Sequence, residues 1–147
     1  MIFIQIIASF IAVAAFAINI DVPKKYIGIV GCVGMIGWAT YLLGINFNIP
    51  EVLSYFMSAL VVAIISIVLS KLLNAVSTIF LIPGILPIVP GVAMYKMIYS
   101  LINSNLIETV HYFLQAILIT GGIALAIFIT ESIKGMKIIR KEQVNEN

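Results

Sequence analysis

A glutamate and a histidine are the side chains of this sequence best suited to moving protons. Glu108 and His111 are three residues apart, so a helix would place them on one face. Inside a membrane such an acid–imidazole pair could relay protons, because imidazole titrates near neutral pH. A carboxylate near the N-terminus of a helix is equally ordinary at the membrane interface. The two residues are therefore candidates for proton coupling, with an interfacial role as the alternative.

Three prolines within eight residues mark the most irregular stretch of the chain. Each proline lacks an amide hydrogen and clashes with the carbonyl four residues earlier, so a regular helix cannot continue through them. Irregular backbone at membrane depth is tolerated only inside protein or beside a water-filled cavity. We therefore expect a broken helix that lines a transport pathway, formed by Pro83, Gly84, Pro87, Pro90 and Gly91. A kinked packing helix without a ligand is the alternative.

The break offers binding groups of both signs. A half-helix that begins near Gly91 would direct free N–H groups and a partial positive charge toward the break, which suits a carboxylate. Freed carbonyls nearby suit an ammonium group, a cation or a proton donor. Lys96, with Tyr95 beside it, follows five residues later. It would contact a substrate carboxylate, pair with an acid of a partner, or extend to the interface. Ser58 joins these pathway candidates if it faces the break.

The composition determines the kind of element that must position these residues. Apolar residues make up 63% of the 147 residues, charged residues 10%, and the mean hydropathy is +1.20. So few charges cannot cover a water-facing surface. A net charge of +2 gives no basic field for nucleic acid. We expect neither a soluble enzyme nor a nucleic-acid binder, but an integral membrane protein.

The residue patterns of an intramembrane enzyme are missing from the sequence. Its apolar stretches contain no Gly-x-Ser-x-Gly, no aspartate cluster and no His-x-x-x-His. Cys32 is the only cysteine, so an internal disulfide and a multi-cysteine metal site are excluded. We therefore expect no catalytic residue, no metal and no cofactor.

A helical span needs about 20 mostly apolar residues. The chain reads as a single transmembrane domain (1–147), an all-α polytopic membrane helix bundle with five spans, at about 2–20, 26–44, 51–70, 74–102 (broken) and 106–130. With five spans, seven of the eight basic residues fall on one side: Lys24, Lys25, Lys71, Lys134, Lys137, Arg140 and Lys141. The positive-inside bias then predicts an outside N-terminus, an inside C-terminus and a basic cytoplasmic tail at 131–147.

Four glycines recur every three residues in the second span. Small residues let helix backbones approach closely in a membrane. A three-residue step drifts around the helix, so the glycines form a spiral rather than one strict seam. We expect a helix-packing surface at Gly28, Gly31, Gly34 and Gly37, with substrate lining as the alternative.

The proline block resembles the signature of a known family. Its pattern, P-G-x-x-P-x-x-P-G at 83–91 followed by Tyr95, is similar to that of the small membrane subunit of the threonine/serine exporter family. Val22 and Pro23 at the opening of the second span, and the segment 34–38 within it, resemble the same family. The resemblance covers nearly the whole chain.

The resemblance implies a function that the composition alone does not. Family members are small multi-pass proteins of the bacterial plasma membrane that work with a larger multi-span subunit. They export small polar amino acids, threonine and serine, driven by the proton gradient, so the chain would be part of a secondary exporter in the lipid bilayer. A small dicarboxylate such as succinate is an alternative substrate, because some relatives are linked to dicarboxylates. A non-transporting assembly protein is a further alternative, and a homo-oligomer is open.

Overall fold

The computed structural model describes residues 2–145, and the side chains of residues 2–135. These residues form helices and no strand, which confirms the all-α prediction. The helices are α1 (Ile2–Asn19), α2 (Lys24–Asn46), α3 (Glu51–Leu72), α4 (Thr78–Ile85), α5 (Gly91–Ile102) and α6 (Leu106–Asn145). A single 3₁₀ turn, Leu86–Ile88, follows α4.

Four helices within residues 2–135, namely α1, α2, α3 and the apolar part of α6, are long and apolar enough to cross a membrane. The fourth predicted span is broken, as expected, because Thr78–Ile88 and Gly91–Ile102 meet at an angle of 45°. This part of the chain therefore has four spans, or five if the bent pair crosses once. The exact number of crossings and the orientation with the N-terminus outside stay predictions.

Helix α6 extends past the end of the predicted fifth span. The sequence predicts a tail after residue 130, whereas α6 continues to Asn145. The reason is local, because residues 131–145 contain no proline and are rich in lysine, glutamate and isoleucine, which a helix accepts. The side chains of Lys137, Arg140 and Lys141 lie outside the described residues, so their predicted role at the cytoplasmic face stays a prediction.

Four of the helices end in the same kind of tight reversal. Each of these connections contains one residue with a positive φ, between 47° and 58°: Asp21, Asn48, Asn74 and Ser104. The next residue then donates its N–H to the carbonyl five residues earlier, as from Val22 to Ala17 and from Asn105 to Ser100, both at 3.0 Å. These left-handed caps satisfy carbonyls that a helix end would otherwise leave unpaired.

Helices α3 and α6 lie side by side and run in the same direction. Glu51 at the start of α3 contacts Gln115 of α6, and Lys71 near the end of α3 lines a groove with Lys134. Gln115 and Lys134 are 19 residues apart, which is about 29 Å along a helix. Because a hydrocarbon core is about 30 Å thick, these two pairs of polar residues mark the ends of the region where the helices pack together.

Residues 91–114 form an α5–α6 hairpin that extends beyond the packed bundle of α1–α4. The part of α6 that precedes Gln115 is about 14 Å long. The backbone of α5 packs against α6 and against no other described helix. Only Ala93 and Ser100 of α5 are buried, whereas Ile102 and Ile107 are exposed by 76% and 85%. The hairpin is therefore apolar but largely uncovered.

Three of the four predicted packing glycines of α2 lie at close contacts in the packed bundle. A Cβ built on Gly31 would lie 2.7 Å from the ring of Phe10, and one on Gly37 would lie 2.6 Å from Val62 Cγ2. Gly34 meets the side chain of Val13 in the same way. These three positions admit no side chain without a shift of their neighbours. The fourth predicted packing residue, Gly28, is exposed, and no described atom lies within 4 Å of a Cβ there.

Candidate functional site

The broken segment repairs most of its own backbone hydrogen bonds. Its prolines remove the helical donors for the carbonyls of Ile79, Pro83 and Leu86. Leu86 N–H donates instead to Pro83 O, and Val89 N–H donates to Leu86 O at 3.3 Å. The chain has tightened into a 3₁₀ turn, so two of the three carbonyls have a donor. The break therefore offers fewer free carbonyls to a ligand than the sequence predicts.

The first half of the break is packed between helices. Pro83 is fully buried. A Cβ on Gly84 would lie 2.8 Å from Val33 Cγ1 and 3.1 Å from Val62 Cγ1. Because no side chain intervenes, Gly84 lets α4 approach α2 and α3 closely. These two predicted pathway residues are therefore held in helix contacts.

Pro87, in the middle of the break, lies at the surface of the bundle. It lines an open groove of about 330 Å³ together with Gln5 of α1 and Trp38 of α2. The indole Nε1 of Trp38 is buried and has no hydrogen-bond partner among the described residues. The groove is otherwise lined by small side chains of α1.

Helix α5 begins at Gly91, where the sequence predicts a new half-helix. Val89, two residues before Gly91, is extended, and Pro90 is buried at the N-cap position. Gly91 is exposed, and no described atom lies within 4 Å of a Cβ built there. Among the described backbone hydrogen bonds, none is donated by the N–H of Val92 or Ala93. The first turn of α5 therefore keeps two free donors.

Val92 and Ala93 line a small cavity between α3, α5 and α6, here called the α3–α5–α6 cavity. Its volume is about 70 Å³, and its polar side chains are Glu51, Tyr55, Lys96 and Gln115. Gln115 Nε2 donates a hydrogen bond of 2.7 Å to Glu51 Oε2. The cavity therefore has room for a few water molecules.

Glu51 and Lys96 bring opposite charges to this cavity without neutralising each other. The one salt bridge between described side chains joins Lys134 and Glu131 at the other end of the bundle. The ammonium group of Lys96 lies 5.4 Å from the centroid of the Tyr112 ring, within range of a cation–π contact. A carboxylate and an ammonium group at one site can bind the two ends of a zwitterion through charge-assisted hydrogen bonds.

A row of aromatic rings supports the cavity from the side of α2. The ring centroids of Trp38 and Tyr41 are 5.0 Å apart, and those of Tyr41 and Tyr55 are 4.4 Å apart. Tyr55 itself is buried. Rings at these distances are in favourable contact, so α2 helps to fix the tyrosine that lines the cavity.

Two further pathway candidates lie away from this cavity. The buried hydroxyl of Ser58 donates to Gly37 O at 2.6 Å, which joins α3 to α2. Tyr95 is exposed by 67% and stacks on Tyr99 with ring centroids 6.2 Å apart. Of the predicted pathway residues in the described structure, only Lys96 is among those lining the cavity, with Gly91 next to Val92 in sequence.

Glu108 and His111 lie on the α5–α6 hairpin, near its connecting turn. Ser100 Oγ donates to Glu108 Oε2 at 3.4 Å, and the His111 ring centroid is 5.4 Å from that of Tyr112. Within the described residues no salt bridge joins the acid to the imidazole. Their role in proton coupling stays a prediction.

Sequence reasoning misses three polar residues of the cavity: Glu51, Tyr55 and Gln115. Glu51 follows Pro50 and looks like an ordinary acid in the first turn of a helix. The available signal is that a glutamine within an apolar span needs a polar partner. Which partner it finds depends on how α3 and α6 align, and no local pattern gives that alignment.

Comparison with known proteins finds similarity over most of the chain. A family model described as "Threonine/Serine exporter, ThrE" matches residues 5–133. A protein of Haemophilus influenzae described as an uncharacterized protein is 28% identical over 93 residues, which are 63% of this chain and 31% of that protein. The chain thus spans about a third of that relative's length. No solved structure matches.

The matched range contains the proline block and every residue of the α3–α5–α6 cavity. It also contains nearly all of the apolar helices that can cross a membrane. The resemblance of the proline motif is therefore confirmed over most of the chain. This chain belongs to the threonine/serine exporter family, ThrE.

Proposed function

We propose that this chain is the membrane subunit of a secondary exporter for small polar amino acids, threonine or serine, coupled to protons and acting with a larger membrane partner. The observation that carries the substrate class is the α3–α5–α6 cavity, where Glu51 and Lys96 are both free of ion pairs within the described structure. The family match over residues 5–133 supports transport as the activity.

The charges of the cavity favour an amino acid over a dicarboxylate. An amino acid would place its ammonium group at Glu51 and its carboxylate at Lys96, beside the free N–H groups of Val92 and Ala93. A dicarboxylate such as succinate would place a second negative charge near Glu51, and like charges repel. The succinate alternative therefore requires Glu51 to be protonated or displaced.

Room for an amino acid in the cavity requires α5 to move. Ligand pockets usually measure about 300–1,000 Å³, whereas this cavity measures about 70 Å³. The backbone of α5 packs only against α6 among the described helices, and the extended residue Val89 breaks the helix just before it. A helix that packs on one side only and has a hinge at one end can swing to open or close a site.

The proposal includes five spans in one transmembrane domain, with the cavity toward the outside and the C-terminus inside. Lys71 and Lys134 line the groove at the end opposite the cavity. Lys24 and Lys25 lie at the same end, because the hydroxyl of the adjacent Tyr26 donates to Leu73 O at 3.5 Å. Positive residues favour the cytoplasmic side. The bacterial plasma membrane then supplies the proton gradient. Glu108 and His111, the titratable groups on the hairpin that carries Lys96, are the proposed proton-coupling groups.

Transport is tested with the chain and its larger partner reconstituted together in liposomes. Under an imposed pH gradient we expect flux of labelled serine and threonine to exceed that of succinate. A higher flux of succinate would favour the dicarboxylate alternative. No flux of any of the three, with both proteins folded, would leave the assembly protein as the better description.

Charge-neutral variants test the cavity. Glu51→Gln and Lys96→Gln each remove a charge-assisted contact worth about 1.5–3 kcal/mol, so each should lower serine flux at least about tenfold. Asp21→Asn and Lys24→Gln make the same chemical changes on exposed residues away from the cavity and serve as controls. Equal effects of test and control variants would remove the cavity from the proposal.

Further variants test the movement of α5 and the proton-coupling groups. Gly91→Leu meets no described atom within 4 Å of its Cβ, so the chain should fold while the bulkier residue at the hinge lowers flux. Glu108→Gln and His111→Ala should flatten the pH dependence of serine flux. An unaltered pH profile in both variants would exclude these residues as coupling groups.

A further inference from the structure

An apolar groove lies between α3 and α6 at the basic end of the bundle. Its volume is about 330 Å³, and it is lined mainly by Leu60, Ile64, Ile67, Val68, Ile129 and Ile133. From Leu60 to Lys71 the groove follows α3 for 11 residues, about 16 Å. This length is close to half of a hydrocarbon core that is about 30 Å thick, so the groove extends along one leaflet.

Two lysines close the groove at its polar end. Lys71 is exposed and takes part in no salt bridge within residues 2–135. Lys134 Nζ lies 3.1 Å from Glu131 Oε2 and donates to Ser77 Oγ at 2.9 Å, which holds this ammonium group at the groove. Two ammonium groups against one carboxylate leave a net positive charge where the apolar lining ends.

We propose that this groove binds one anionic phospholipid, with an acyl chain along the isoleucines and its phosphate between Lys71 and Lys134. The length of one leaflet fits the acyl chain, and the charge complementarity fits an anionic headgroup. A protein segment in the same place would have to meet the lysines with acids of its own. The site is separate from the α3–α5–α6 cavity, about 29 Å away along α6.

Native mass spectrometry of the full chain in detergent tests this site with phosphatidylglycerol and phosphatidylcholine of identical acyl chains. We expect one phosphatidylglycerol to be retained per chain and phosphatidylcholine to be lost. Because a lysine near the headgroup contributes about 1 kcal/mol, Lys71→Gln should weaken retention about fivefold. Lys24→Gln removes a charge at the same end of the bundle but outside the groove and should change nothing.

A groove-filling variant tests the acyl chain separately. Ile64 is exposed by 52%, so Ile64→Trp should leave the fold intact, as circular dichroism can check, while displacing the lipid. Equal retention of the two lipids, or equal effects of Lys71→Gln and Lys24→Gln, would overturn the proposal. The proposal would also be overturned if glycerol 3-phosphate displaced phosphatidylglycerol at an equal concentration, because the acyl chain would then contribute nothing. A dimer of the chain that disappears in Ile64→Trp would overturn it as well, because a second copy would then occupy the groove.

Discussion

The packed bundle and the α5–α6 hairpin are both apolar, yet they are held together differently. In the bundle, Gly31, Gly34 and Gly37 of α2 each receive a side chain of a neighbouring helix. In the hairpin, α5 buries only Ala93 and Ser100. Lipid is as apolar as leucine, so apolar residues alone do not bring helices together in a bilayer. The comparison indicates that small residues, which permit close approach, help to determine how closely helices pack.

The candidate site lies where these two regions meet. Glu51 and Tyr55 come from the packed bundle, and Lys96 comes from the hairpin. A closely packed element can fix one half of a binding site while a loosely held element moves the other. We therefore expect the packed bundle to hold Glu51 and Tyr55 in place, while the hairpin moves Lys96.

The largest effect expected from this comparison is that of a bulky side chain on the glycine surface. Gly34→Leu would overlap Val13 of α1 and should destabilise the chain by about 3 kcal/mol, the upper end for overpacking. Reversible unfolding in detergent micelles measures this change. Gly28→Leu, on the same helix but facing open space, is the matched control. A similar loss in both variants would mean that the spiral does not pack as described.

A cavity in the bundle core should have the next largest effect. Phe80 is fully buried and meets the ring of Tyr26 edge-on, with centroids 5.4 Å apart. Phe80→Ala should cost about 2 kcal/mol, below the 3–5 kcal/mol of soluble proteins, because lipid replaces water around the unfolded helices. Phe113→Ala, on the exposed side of the hairpin, should cost little in the same unfolding measurement. Equal losses of unfolding free energy in the two variants would contradict the difference in packing between the bundle and the hairpin.

Removing a hydrogen bond between helices should have a smaller effect. Ser58→Ala loses the donor to Gly37 O and should destabilise the bundle by about 0.6 kcal/mol, the average for such bonds in a membrane. Ser66→Ala is a close control, because Ser66 is equally buried on α3 but donates to Val62 O of its own helix. A greater loss from Ser66→Ala would contradict this ranking.

The smallest expected effect is a gain in stability, and it is confined to the hairpin. Ser104 has a φ of 58°, a conformation that costs about 1 kcal/mol outside glycine. Ser104→Gly relieves this strain but frees the unfolded chain, so a net gain of about 0.5 kcal/mol is expected. Slower amide hydrogen exchange in α5 and the start of α6 would show it. Asn74→Gly should gain less, because asparagine tolerates this conformation; a larger gain there would contradict the argument.

The helical class, the position of the break and the family all follow from local sequence. Apolar stretches of the right length predict the spans, and the prolines from Pro83 to Pro90 predict the break. The cavity does not follow, because Glu51 meets Gln115 only after α3 and α6 are aligned, 64 positions apart in the chain. The repair of the Pro83 and Leu86 carbonyls is also missed, since proline is read as removing a donor without replacing it.

The left-handed caps at Asp21, Asn48, Asn74 and Ser104 have a consequence for biogenesis. Each reversal is closed by hydrogen bonds reaching back no more than five residues. A nascent chain leaving the ribosome can therefore complete every turn before the following helix has been synthesised. Helical pairs can enter the bilayer one after another, each already folded back on itself, without waiting for the residues that later assemble the binding site.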